Sequence, residues 1–185
     1  AGKVGYFAFT AFTEPAAAEL QRTFAELSAA GIDELVVDLR YNGGGRTSTA
    51  NRLSSEIGQE HTRGQIFTHF EHNAAYRHQD SQVEFLAALS SLELSRVTVL
   101  TTEESCSASE MTINSLRPFM EVVTIGGTTC GKPIGMYNHA FCGKVLLPIE
   151  FQVTNALRQG DYFDGLPATC AASDTPAQRW GSRDD

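Results

Sequence analysis

The chain has 185 residues, 42% of them hydrophobic, which is enough to bury about two thirds of the unfolded surface and sustain one sizeable core. A net charge of -8 and a pI near 5.1, with no clustering of Lys or Arg, argue against nucleic-acid binding. No run approaches the roughly 18 consecutive apolar residues of a membrane span.

The first residue is Ala, and a strand-like run, Lys3-Val4-Gly5-Tyr6-Phe7-Ala8-Phe9, follows with no leader before it, so an excised single domain is expected. Thr13-Glu14-Pro15 reads as a helix start, and Leu20, Phe24 and Leu27 give the helix one apolar face before Gly31 ends it. Glu34 to Arg40 has the continuous apolar centre of a strand covered on both faces, and it runs into the loop Tyr41-Asn42-Gly43-Gly44-Gly45. A second helix is expected from Thr47 to Ile57, closed by Gly58, then a strand around Ile66-Phe67-Thr68. Residues 72 to 80 are polar and read as irregular, and Val83, Phe85, Leu86 and Leu89 suggest a helix over 81 to 92. The strand Val97 to Leu100, a helix from Ser107 to about Arg117 stopped by Pro118, and the strand Val122 to Ile125 continue the alternation. Beyond Lys132 the pattern changes to short β segments around 145 to 153. The whole predicts an α/β fold with a largely parallel central sheet and a C-terminal β extension.

In such sheets, sites form outside the carboxyl ends of strands. A triple glycine there lets backbone N–H groups converge on an anion, as an oxyanion hole requires. The loop Glu103 to Glu110 sets small hydroxyl residues, Ser105, Ser107 and Ser109, at a helix start, where free N–H groups and the dipole favour negative charge. Taken alone, each motif is better explained by a flexible turn or an N-cap. A serine nucleophile needs a base, and none of the five histidines (His61, His69, His72, His78, His139) lies in either loop. Lysine is the alternative base when a low-dielectric pocket keeps it neutral, and the chain has only Lys3, Lys132 and Lys144. Lys132 follows the strand after the serine helix and sits among uncharged neighbours.

Four cysteines, Cys106, Cys130, Cys142 and Cys170, permit three complete pairings, and spacing does not choose among them. Disulfides are expected in preference to free thiols, which implies an oxidising compartment. No CxxC spacing or His/Cys cluster supports a metal, no cofactor is called for, and Asp161 and Asp164 read as turn residues rather than cation ligands.

Taken in order, Asp38-Leu39-Arg40-Tyr41-Asn42-Gly43-Gly44-Gly45, Ser105-Cys106-Ser107-Ala108-Ser109-Glu110 and Gly126-Gly127-Thr128-Thr129-Cys130-Gly131-Lys132 resemble the three sequence blocks of the tail-specific, or carboxyl-terminal processing, serine proteases. The resemblance implies a ClpP/crotonase-like superhelix in which Ser107 is the nucleophile, Lys132 the general base, Ala108 and Gly44 or its neighbours the oxyanion donors, and Glu110 an orienting acid. It also implies acyl-enzyme hydrolysis of a polypeptide substrate, a bacterial periplasmic or secreted setting, and guidance by a PDZ domain that these 185 residues do not include. The chain departs from the family pattern at Cys106, Cys130 and Met136, the last standing where many members carry Gln. Because Ser107 and Lys132 must meet, Cys106 is expected to pair with Cys130, leaving Cys142 with Cys170. Two other classes share the scaffold, a non-catalytic ligand-binding module and a crotonase-type acyl-CoA enzyme, but neither needs the Ser107-Lys132 pair.

Overall fold

In the computed structural model, which describes residues 2–90, 92 and 94–175, the opening strand β1 (Val4–Ala8) lies parallel to β2 (Glu34–Asp38). Parallel neighbours cannot be joined by a tight hairpin. Helix α1 (Glu14–Ala30) makes the crossover, with Thr13 in extended conformation before it and Gly31, at φ 61°, ending it by donating to Ser28 O. Its buried residues are Leu20 and Phe24, and Phe24 meets Phe7 of β1 edge-on at 5.7 Å.

Two further crossovers follow. Helix α2 (Thr47–Thr62), strand β3 (Ile66–His72) and strand β4 (Ser81–Glu84) lead to β5 (Arg96–Thr101), and α3 (Ala108–Leu116) leads to β6 (Glu121–Gly126). The first sheet has the order β1-β2-β5-β6, extended by β11 (Cys170–Ala171), and every pair in it is parallel. Strands β2, β5 and β6 end level with one another, since Asp38 is paired with Leu100 and Leu100 with Ile125. Their exit loops, carrying Asn42 to Gly45, Ser105 to Ser107 and Gly127 to Lys132, therefore emerge side by side.

The second sheet is antiparallel, in the order β4-β3-β10-β7, with β7 (Ile134–Met136) and β10 (Ile149–Thr154) coming from the C-terminal part of the chain. A separate hairpin, β8 (His139–Phe141) and β9 (Lys144–Leu146), turns through Cys142 and Gly143, both at positive φ as a two-residue hairpin turn demands. Helix α3 touches β6 of the first sheet and β3 and β10 of the second, and all nine of its residues are buried. The serine-bearing helix is thus the centre of the molecule.

One sequence expectation needs correction here. The helix expected over 81 to 92 is not formed: Ser81–Glu84 is an exposed edge strand, and residues 85 to 90 are irregular. The amides that would have bonded within a helix are satisfied by α2 instead. Leu86 N–H donates to Ser55 Oγ at 2.9 Å, and Leu89 and Ser90 donate to the fully buried carboxylate of Glu56 at 3.1 and 3.2 Å. Phe85 is drawn inward by edge-on contact with Phe67 and Phe119. The expected close of the second helix at Gly58 holds: α2 is broken at Gln59, whose φ is 47° and ψ -125°, and only a short helical stretch carries on to Thr62.

Candidate active site

Asp38, at the end of β2, and Arg40 are both buried and form an ion pair, with Arg40 Nη2 at 2.7 Å from Asp38 Oδ2. Tyr6 Oη donates to the same oxygen at 2.7 Å. Burial, and after it this hydrogen bond, push the Tyr6 phenol up to about 12. The pair fixes the point at which the glycine loop leaves the sheet.

Asn42 then folds the loop onto the serine helix. It is fully buried, and its side chain donates to Phe9 O and accepts the Gly44 amide at 2.9 Å. Its carbonyl accepts Cys106 N–H at 3.0 Å and Ser109 Oγ–H at 2.8 Å. Gly44 has φ +96°, and a Cβ there would fall 2.6 Å from Cys106 O and 2.8 Å from both Ala108 N and Ser107 Cβ. Only glycine fits at this position.

Ser107 itself stands at φ 55°, ψ -110°, outside the helix it precedes. A non-glycine residue persists there only when its surroundings over-determine it. Ser105 Oγ donates to Leu39 O at 2.7 Å and Ser109 Oγ to Asn42 O, so both flanking serines, considered as candidates on chemistry alone, serve as struts. Ser107 lines the cleft. The Ala108 amide, first of the helix, has no acceptor among the described residues, which is the ordinary state of a helix N-terminus before a ligand arrives.

Glu110 organises the rest. It is fully buried, and Oε1 accepts Thr129 Oγ1–H at 2.6 Å and Gly131 N–H at 2.7 Å, while Oε2 accepts Ser107 N–H at 2.9 Å and Lys132 N–H at 2.8 Å. One carboxylate oxygen thus binds the backbones of both Ser107 and Lys132. Gly131 makes this bend possible: its φ is +84°, and a Cβ would lie 2.1 Å from Phe163 O. Thr129 Oγ1 in turn accepts Leu166 N–H at 2.7 Å, anchoring the lysine loop to the C-terminal segment. Burial, and after it the charge of Glu110, raise the Tyr162 phenol far above its usual value.

A disulfide joins Cys106 to Cys130, as expected. The expected partner bond is not formed: Cys142, at the tip of the β8–β9 hairpin, and Cys170, on the edge strand β11, are free and exposed. The one cluster of three potential metal ligands among the described residues, Cys106, Glu110 and Cys130, has both sulfurs committed to the disulfide. Asp161 and Asp164 are exposed, and Asp164 lies in a turn closed by Gly165 N–H on Tyr162 O.

Ser107, Ala108, Gly43, Gly44, Gly45 and Lys132 line one cleft of about 370 Å³, with Glu110 buried behind it and Ser105 and Ser109 off it. The apolar part of the lining is formed by Met111 of α3, Ile134 and Met136 of β7, and Phe151 and Val153 of β10. Sequence reasoning did not find this part, because β10 is brought beside β7 only by sheet pairing. It also did not find the clamping role of Asn42 or the anchoring role of Thr129. Both lie inside the motif blocks, but their partners are remote in sequence.

These features define a mixed α/β protein with a serine at the tip of a central helix and a lysine across a glycine-lined cleft. The chain belongs to peptidase family S41, whose model matches residues 3–148. A Bacteroides fragilis NCTC 9343 crystal structure assigned to the S41 proteases is similar, with TM-score 0.85 and 28% identity over 93% of this chain and 48% of its own. The photosystem II D1 C-terminal processing protease has TM-score 0.73 and 20% identity over 92% of this chain and 42% of its own. A lipoprotein from Streptococcus agalactiae has TM-score 0.69 and 12% identity, covering 93% and 63%. The last two likenesses concern the fold. The chain thus spans between 42% and 63% of the length of these structures. Comparison with curated proteins gave no match.

Proposed function

We propose that the chain is the catalytic core of a serine endopeptidase of the tail-specific type, working through a Ser107-Lys132 dyad and an acyl-enzyme. The observation that carries this reading is the shared hydrogen bonding of Ser107 N–H and Lys132 N–H to Glu110 Oε2, which sets both residues on one cleft. The Lys132 amine takes the Ser107 proton, and Oγ attacks the carbonyl carbon of the scissile peptide. The Ala108 amide and an amide of the glycine loop hold the oxyanion. Gly44 N–H is turned toward Asn42 Oδ1, so it must be shared, or the second donor is Gly43 or Gly45. Lys132 then passes its proton to the leaving amine, and a water, deprotonated by the same amine group, hydrolyses the ester. Glu110 acts as a positioning residue.

The apolar wall of the cleft suits an apolar side chain beside the scissile bond, and the substrate is an unstructured polypeptide guided by a PDZ domain elsewhere in the protein. A bacterial periplasmic or secreted setting fits the Cys106–Cys130 bond, since disulfides persist in oxidising compartments. The test is cleavage of a disordered polypeptide by the wild type, Ser107→Ala and Lys132→Ala. Each variant should fold normally and lose at least about 10³-fold in kcat, and a fluorophosphonate should label Ser107 alone. Full activity in either variant would remove the dyad.

A further inference from the structure

Two clamps join the loop carrying Ser107 to the loop carrying Lys132. The first is Glu110. The second is the disulfide, which binds the residue immediately before Ser107 to the residue two before Lys132. Hydrogen bonds meet at the same place: Cys106 N–H donates to Asn42 O at 3.0 Å, and Cys130 N–H donates to Ser105 O at 3.1 Å. The bond is therefore the covalent link between the serine turn and the lysine loop, with the glycine loop hydrogen-bonded to the same point.

Its surroundings differ from those of a core disulfide. Residue Cys130 is exposed and Cys106 half-buried, whereas the Glu110 carboxylate beside them is fully buried. The apolar core excludes both sulfurs: α3 is held by Ala108, Met111, Ile113 and Leu116, all buried without help from the bond. What the bond does constrain is Ser107, whose positive φ depends on being held from both sides. Two separate thiols need more room than one bond, so opening it must part the loops at the point where the reacting groups meet.

We propose that the Cys106–Cys130 disulfide is a redox-sensitive positioning element, which aligns Ser107 with Lys132 when oxidised and lowers peptide cleavage when opened by a dithiol reductant. The inference rests on the reading of Ser107 and Lys132 as the reacting pair. In the opening step a reductant thiolate attacks Cys130 Sγ, the S–S bond breaks, and Cys106 leaves as a thiolate that takes up a proton. The second thiol of the reductant then displaces Cys130 from the mixed disulfide. The protein gains two electrons and two protons, and the dithiol becomes a disulfide.

The test uses the protein carrying Cys142→Ser and Cys170→Ser, so that the only thiols titrated from residues 1–185 are those of the bond. Cleavage of a disordered polypeptide is followed before dithiothreitol, after it and after reoxidation, with thiol titration and near-UV circular dichroism in parallel. Reduction should lower kcat at least tenfold, change KM less than threefold, leave the dichroism of the fold in place and be reversed by reoxidation. Cys106→Ala/Cys130→Ala should sit at the reduced level and ignore the dithiol. Two titrated thiols with kcat unchanged or raised would overturn the proposal, as would a fully active double-alanine variant. Loss of the folded spectrum together with activity would also overturn it, since the bond would then be general support. If the oxidised protein does not cleave and Ser107 takes no fluorophosphonate, the underlying dyad reading fails first and this inference goes with it.

Discussion

Gly44 lies against Ser107 with no space between them for a side chain, a Cβ on the glycine falling 2.8 Å from that of the serine. On the proposed mechanism this loop backbone supplies an oxyanion donor beside Ser107, and the contact is reinforced by the φ of +96° that glycine alone adopts freely. Gly44→Ala should therefore cost about 1–3 kcal/mol of stability from backbone strain and at least about 10²-fold in kcat from the displaced loop. Denaturant unfolding and steady-state kinetics check both. An alanine variant with wild-type kcat would mean that the close approach has no bearing on the reaction.

Glu110 accepts four hydrogen bonds in full burial. Glutamine in its place has one oxygen and an N–H₂ group that faces donors, so two of the four lose their acceptor. Each unsatisfied buried donor costs about 1–3 kcal/mol. Glu110→Gln should lower stability by several kcal/mol and kcat by about 10²-fold, with KM changing less. Aspartate should not restore the activity, because its shorter chain cannot span both amides. Equal kcat in wild type and glutamine variant would show that the lysine loop is positioned by other means.

The Tyr6 phenol is raised by burial first and by its bond to Asp38 second, up to about 12 in the folded state from 10.0. The folded protein holds this proton more tightly than the unfolded chain. Its contribution to stability is complete below the unfolded value of 10.0 and is lost as pH rises toward about 12. Tyr6 is 37% exposed, so the slope will be shallower than for a buried group. Unfolding free energy measured from pH 9 to 12 should fall less steeply in Tyr6→Phe than in the wild type, and coincident profiles would discount the linkage.

Glu56 holds the chain that follows β4. Its carboxylate takes Leu89 N–H, Ser90 N–H and Ser90 Oγ–H, and it is paired with Arg52 at 3.2 Å. Glu56→Ala should destabilise the fold by about 3 kcal/mol, through lost acceptors and an unpaired arginine. Hydrogen exchange should quicken first at Leu86 to Ser90. Unchanged protection there would place the anchor of this segment elsewhere.

Much of the fold was legible because its signals are local. Thr13, Pro15 and Gly31 bound α1, Pro118 follows the end of α3, and the apolar centre of β2 announces a strand covered on both sides. The same reasoning failed for the helix expected over 81 to 92, where Val83, Phe85, Leu86 and Leu89 imitate helical spacing. There the deciding groups are Asn51, Ser55 and Glu56, 31 to 35 residues away, and no local pattern records them.

The site divides in the same way. Residue type marked the glycine loop, the scarce Lys132 and three serines, Ser105, Ser107 and Ser109, and the order of the three motif blocks, through their resemblance to the tail-specific proteases, pointed to Ser107 among the serines, to Lys132 and to Glu110. Tertiary structure alone decided that one oxygen of Glu110 binds both loops, that Asn42 draws the glycines onto α3, that Cys142 and Cys170 stay apart, and that β10 walls the cleft. Residue chemistry is written one position at a time, whereas distances between loops are set by the level at which β2, β5 and β6 end, and that level exists only once the sheet has formed.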